Sequence, residues 1–278
     1  MAEKTGISWT DSTLNLWIGC TKVGPGCDHC YAETFDKRFG GNRWGPGAPR
    51  HRTSLSNWNQ VYRWNRQAEA SGIRRKVFIN SLSDFWDKEA PPSAREDGFE
   101  LIGRCSWLDF QIVTKRIGNV EKMMPQTWRD GGWPPNVWQL ISVVNQEEAD
   151  RDIPKLIHLK ERHAQKMIAG LCSEPLLGPL NLESYISALD WVIVGGESGS
   201  KARPMHPRWV MDVHAQCVEH GVPFFFKQWG EYLPEIIGCE QLNSIGNGPD
   251  HVKFHKVGKL AAGDKLSGRQ WHEFPRAL

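Results

Sequence analysis

The chain has 278 residues, with 34 Lys and Arg against 32 Asp and Glu and a formal net charge of +2. That balance does not by itself mark a nucleic-acid binder, although it leaves room for a local basic patch. No apolar run reaches the length of a membrane span, and no apolar leader follows Met1. Seven cysteines, an odd number with three of them clustered, fit a reduced cytoplasm better than a disulfide framework.

Taken in order, short apolar strands alternate with helical stretches, which predicts α/β with a parallel sheet. The first strand is expected over Leu14–Ile18, ending at Cys20. A helix follows from Leu55 to Ala70, where Trp58, Val61, Tyr62 and Asn65 fall near a 3.6 spacing. Strands are expected at Lys76–Asn80, Phe110–Val113, Val137–Val143, Lys166–Leu171, Trp191–Val194 and Val222–Phe226. Further helices are expected at Ser93–Gly103, Asn145–Lys160 and Pro207–His220, the last closed by Gly221 as a C-cap. The segment beyond Tyr232 is rich in Gly, Asn and Asp turns. It reads as a small C-terminal extension, dividing the chain into a barrel over 1–232 and an extension over 233–278.

Polar or charged residues stand directly after nearly every apolar run. They are Cys20; Ser81, Ser83 and Asp84; Lys115 and Arg116; Asn145 and Gln146; Glu174; Gly195, Gly196 and Glu197; and Lys227 with Gln228. In a parallel α/β barrel those strand ends converge on the face where active sites are built.

Cys20, Cys27 and Cys30 lie within eleven residues. Cys27-Asp-His-Cys30 is a Cys-x-x-Cys knuckle that can aim two thiolates at one centre, and Cys20 joins through a loop holding Gly24-Pro-Gly26. Three thiolates can hold three irons of a four-iron cluster and leave the fourth open. They can equally hold zinc with a fourth ligand, for which His29 is poorly placed inside the knuckle and His51 is more distant. Cys105, Cys172, Cys217 and Cys239 are scattered and read as buried packing residues.

The three-cysteine loop resembles that of the radical S-adenosylmethionine (SAM) superfamily, whose members carry Cys-x3-Cys-x2-Cys after the first strand of a partial (β/α)6 barrel. Here the first gap is six residues. Trp17-Ile-Gly-Cys20, Gly26–Ala32, Ser81–Asp84, Thr114–Arg116, Ser173–Leu177, Val194–Gly199 and Phe225–Trp229 look like a family of phage and prophage proteins related to spore photoproduct lyases. The resemblance implies a partial (β/α)6–7 TIM-like barrel, with Cys20, Cys27 and Cys30 holding a 4Fe-4S cluster. The open iron would chelate SAM, whose reductive cleavage gives a 5′-deoxyadenosyl radical. It also implies an external one-electron reductant of flavodoxin or ferredoxin type, and phage association suggests a nucleobase in DNA or RNA as substrate.

On this reading Ser81, Ser83, Asp84, Lys115, Asn145, Glu174, Gly195, Gly196 and Glu197 are the candidate cosubstrate-binding residues. Gly195-Gly-Glu197 is similar to the family's amine-binding Gly-Gly-Glu, but it follows the sixth strand instead of the second. Asn145 can alternatively cap the following acidic helix. Lys227, a lone cation behind a buried strand, and Tyr31, a candidate hydrogen donor, complete the catalytic set. The competing readings are a small-molecule radical mutase or lyase, and a zinc-binding, non-redox protein that binds nucleic acid or a partner.

Overall fold

The structure, a computed structural model, describes residues 2–163, 167–236 and 252–276. In chain order, β1 (Ser12–Leu14), β2 (Trp17–Ile18), α1 (Tyr31–Arg38), β3 (His51–Arg52) and α2 (Leu55–Ser71) come first. There follow β4 (Arg75–Ile79), α3 (Pro92–Arg104), β5 (Leu108–Thr114), α4 (Val120–Met123), α5 (Gln126–Asp130) and β6 (Val137–Ser142). Next are α6 (Gln146–His163), β7 (Ile168–Ser173), β8 (Trp191–Gly195), α7 (Pro207–His220) and β9 (Phe224–Gln228). The chain closes with β10 (Tyr232–Ile236), β11 (Val252–Lys256), α8 (Lys259–Ala262), β12 (Lys265–Leu266) and β13 (Arg269–Gln270).

Seven strands form one sheet in the order β1-β4-β5-β6-β7-β8-β9, and every pairing is parallel. The order never reverses, so right-handed crossovers keep the helices on one side and the sheet curls around the other. The result is the expected partial α/β barrel.

Period-two alternation sorts the side chains into two layers. Phe78, Trp138, Trp191 and Phe225 pack with Trp9 inside the curl. Their neighbours Val77, Val137, Val192 and Phe224 face the helices. Helix α2 presents Trp58, Val61, Trp64 and Ala68 to this outer layer and ends on Gly72 at φ 68°, a left-handed position that favours glycine. The segment 270–274 packs back on the last strands, where Phe226 N donates to Trp271 O and Trp191 Nε1 to Glu273 O.

Three expectations are corrected. The run Leu14–Ile18 is not one strand: only Leu14 belongs to the sheet, while Trp17–Ile18 leaves to pair antiparallel with His51–Arg52. Side chains replace the ladder there. Leu16 N donates to Asn80 Oδ1 at 2.9 Å, and Asn15 Oδ1 accepts from Leu82 N at 2.7 Å. The last strand runs two residues further than predicted, so Lys227 lies within β9 instead of behind it. The strand expected from Lys166 begins at Ile168, and Lys166 itself lies outside the described residues, as does Cys239.

Candidate active site

The inward parity of the strands continues past the packed layer and builds the site. Ser142 follows Trp138 and Leu140 on β6, Cys172 follows Ile168 on β7, and Lys227 follows Phe225 on β9. With Lys115 and Glu174 they line a cavity of about 430 Å³. Cys20, Cys27 and Cys30 form another part of its wall, and Trp9 and Phe78 contribute apolar surface. Ser81, Ser83, Asp84, Tyr31, Gly196 and Glu197 also reach it.

The cysteine loop is tied down from several sides. Gly24 and Gly26 let it press onto the β6–α6 connection: a Cβ on Gly26 would stand 2.6 Å from Val144 Cγ1, and one on Gly24 2.3 Å from Glu148 Oε1. Arg116 Nη2 donates to Thr21 O at 2.6 Å, and Arg203 Nη2 donates to Pro25 O at 2.9 Å. Cys30 is the N-cap residue of α1. All three thiols are free. Burial pushes the Cys20 thiol up to about 12 against the opposing pull of Arg116, and burial also raises Cys30. Burial thus holds Cys20 and Cys30 in the thiol form, and a metal centre must displace those protons. Among the described residues no three His, Cys, Asp or Glu side chains form a single-ion site. A donor set of three free thiols on one loop, opening on one cavity, fits a multi-iron cluster with three protein ligands.

Asp84 is the hub behind Cys20. Its Oδ1 accepts from Thr114 Oγ1 at 2.8 Å and Trp86 N at 2.9 Å, and its Oδ2 from Lys115 N at 3.1 Å and Arg116 Nη1 at 2.9 Å. Ser83 Oγ donates to Trp17 O, and Ser81 Oγ is held by Asn15. Tyr31 donates its hydroxyl to Ser81 O, and the residue is 57% exposed. The ring heads an exposed aromatic row on α1, continued by Phe35 and by Phe39 just past the helix end, one turn apart.

On the opposite wall Lys227 is not a lone cation. Its Nζ lies 2.9 and 3.0 Å from the two Glu174 oxygens. Glu174 Oε2 also accepts from Trp9 Nε1 at 3.4 Å and from the Cys172 thiol at 3.5 Å. Cys172 is buried in the inner layer, as expected of a packing residue, and also lines the cavity; burial raises its pKa. Cys105 and Cys217 are fully buried in the outer layer, as expected.

Four cosubstrate candidates have structural roles in the fold, and of these Gly196 and Glu197 also line the cavity. Asn145 does not line the cavity; its Oδ1 accepts from Glu148 N at 3.0 Å and caps α6. Gly196 is glycine because a Cβ would lie 1.9 Å from Trp229 O, and a Cβ on Gly195 would meet Glu174 Oε1 at 2.6 Å. Glu197 accepts from Arg203 Nε at 2.8 Å and Nη2 at 2.7 Å, and stands 3.2 Å from His29 Nδ1. Burial would raise its carboxyl, but the Arg203 hydrogen bonds hold it below the usual range. Glu197 and Arg203 thus lock the Cys27–Cys30 knuckle to the end of β8. His51 is exposed on β3.

Asn80 is a residue the sequence did not single out. It closes β4 in the left-handed region at φ 62°, lines the cavity, and keeps a buried Nδ2 with no hydrogen-bond partner among the described residues. Its local signal was an Asn at a strand end, a residue that tolerates that backbone conformation.

Fold and site together define a partial α/β barrel with a three-cysteine loop at the mouth of its cavity. The chain belongs to the DUF5131 family, described as "Protein of unknown function (DUF5131)", whose model matches residues 4–275. No curated protein matches it. A solved structure titled "Spore photoproduct lyase complexed with dinucleoside spore photoproduct" is similar, with a TM-score of 0.45 and 12% identity. The match covers 81% of this chain and 65% of that one, less than two thirds of that protein's length.

Proposed function

We propose that this protein is a radical SAM enzyme, its barrel spanning 1–232 and an extension over 233–278 packing upon it. One observation carries the reading: three free thiols in a Cys-x6-Cys-x2-Cys loop open together on the cavity at the strand ends. Cys20, Cys27 and Cys30 would hold a 4Fe-4S cluster. With SAM bound, and an electron from a flavodoxin- or ferredoxin-type donor, the cluster supplies reductive C–S cleavage and a 5′-deoxyadenosyl radical.

The chain's own residues orient and enclose. Arg116 and Asp84 fix Cys20, while Arg203 and Glu197 fix the knuckle. Ser81, Ser83 and Lys115 are the proposed cosubstrate wall, and Glu174 with Lys227 the proposed substrate wall. Trp9 and Phe78 give the cavity an apolar lining that keeps water from a reactive intermediate. A nucleobase in DNA or RNA is the proposed substrate, supported by the exposed Tyr31, Phe35 and Phe39 along the helix that starts at the cavity wall, since bases can stack on such rings.

Anaerobic purification tests the cofactor. The expected product is a brown protein with about four irons and matching sulfide per chain. A colourless protein holding one zinc under the same conditions would instead favour the non-redox reading.

A further inference from the structure

A second cleft lies on the outer side of the cysteine loop and shares Thr21, Lys115 and Arg116 with the main cavity. Five cations reach it: Lys88, Lys115, Arg116, Arg151 and Lys155. Its carboxylates are already engaged. Asp87 and Glu89 accept from the fully buried Arg50, at 2.9 and 2.5 Å, and Asp152 accepts from Arg151 and Lys155 at 2.6 and 2.9 Å. Arg116 is paired with Asp84. Lys88 remains exposed at the rim, where Val23 adds an apolar surface that is 45% exposed.

The cleft also stands close to the thiols. Arg116 Nη1 is 3.5 Å from Cys20 Sγ, so one side chain separates an occupant of the cleft from Cys20.

We propose that this cleft is the docking surface for an acidic one-electron donor protein. The proposal rests on the radical SAM reading and adds where its reductant binds. One electron would leave the donor's reduced flavin or iron–sulfur centre, which would be oxidised by one unit, and enter the cluster that Cys20, Cys27 and Cys30 would hold. No atom is transferred. A protein partner fits better than a nucleic acid because the cations are interleaved with Asp87, Glu89 and Asp152. Those carboxylates, each already paired, leave separate positive points for a protein's acidic side chains to meet one by one, and Val23 adds an apolar contact that a phosphate backbone would not use.

The test uses the anaerobically purified protein and a flavodoxin as the probe. Binding of oxidised flavodoxin is measured by calorimetry, and cluster bleaching by reduced flavodoxin or by dithionite is followed by stopped flow. Lys88→Glu and Lys155→Glu should each weaken binding and slow reduction by flavodoxin about tenfold at low salt, with the effect shrinking as salt rises. Dithionite should reduce these variants at the wild-type rate. Lys4→Glu, the same charge change near the start of β1, should alter neither. Unchanged flavodoxin binding in both cleft variants overturns the proposal, as does an equal loss in Lys4→Glu. So does loss of single-stranded DNA binding with flavodoxin binding intact, which would make the cleft a nucleic-acid surface. A protein that holds no cluster would remove the enzyme reading, and the calorimetric arm would still decide the cleft.

Discussion

Arg116 bridges Asp84 and Cys20: its Nη1 lies 2.9 Å from Asp84 Oδ2 and 3.5 Å from Cys20 Sγ. Burial would disfavour the guanidinium, but Asp84 outweighs it and keeps it charged. If Cys20 holds the proposed cluster, a hydrogen bond and a positive charge beside its sulfur would stabilise the more reduced, more negative state.

Arg116→Met should therefore lower the cluster's midpoint potential. Each ~1 kcal/mol of lost preference for the reduced state corresponds to about 40 mV in a one-electron couple. A redox titration followed by electron paramagnetic resonance checks this. An unchanged potential with the cluster intact would show that Arg116 only anchors the loop through Thr21.

Cys27→Ala should abolish iron incorporation, whereas Cys217→Ala, fully buried between helix and sheet, should retain it. Iron and sulfide analysis of the two purified variants gives the answer. Loss of iron in both would mean that the ligand set is wrong.

Glu174 and Lys227 should be coupled. Lys227→Met leaves a largely desolvated carboxylate without its cation and should cost about 2 kcal/mol, less than a fully buried pair because both side chains keep some solvent contact. Adding Glu174→Gln should recover part of the loss. Urea denaturation of the two single variants and the double variant measures the coupling, and additive effects would refute it.

The Glu197 carboxyl is held below its ordinary range by Arg203, so its stabilising effect is present above the unfolded carboxylate pKa and disappears as pH falls through the lower folded value. Glu197→Gln should cost about 1–2 kcal/mol near pH 7, the scale of a charged hydrogen bond. The gap from wild type should close as pH drops below about 4, the ordinary glutamate range. A gap that stays constant from pH 7 to pH 3 would exclude this role.

Much of the frame was legible because it is local. Helix α7 was readable from Pro207 to Gly221, a proline start and a glycine stop, and β6 and β8 announced themselves as apolar runs. The strand-end rule also gathered Ser81, Lys115, Glu174 and Lys227 around one cavity. What escaped depends on partners far away in sequence. Lys227 looked unpaired because Glu174 lies 53 residues earlier, and the contact of Glu197 with His29, spanning 168 residues, left no local signal. The break after Leu14 was hidden because Asn15 and Leu16 find their hydrogen bonds at Leu82 and Asn80. Cys172 is buried as expected, but an apolar context says only that a residue is buried, not which side of the sheet it faces.

The most direct measurement is product analysis after anaerobic reduction of the iron-loaded protein with SAM. The account predicts 5′-deoxyadenosine and methionine from wild type and neither from Cys20→Ala, Cys27→Ala or Cys30→Ala. Intact SAM after reduction of a fully loaded wild-type protein would contradict it.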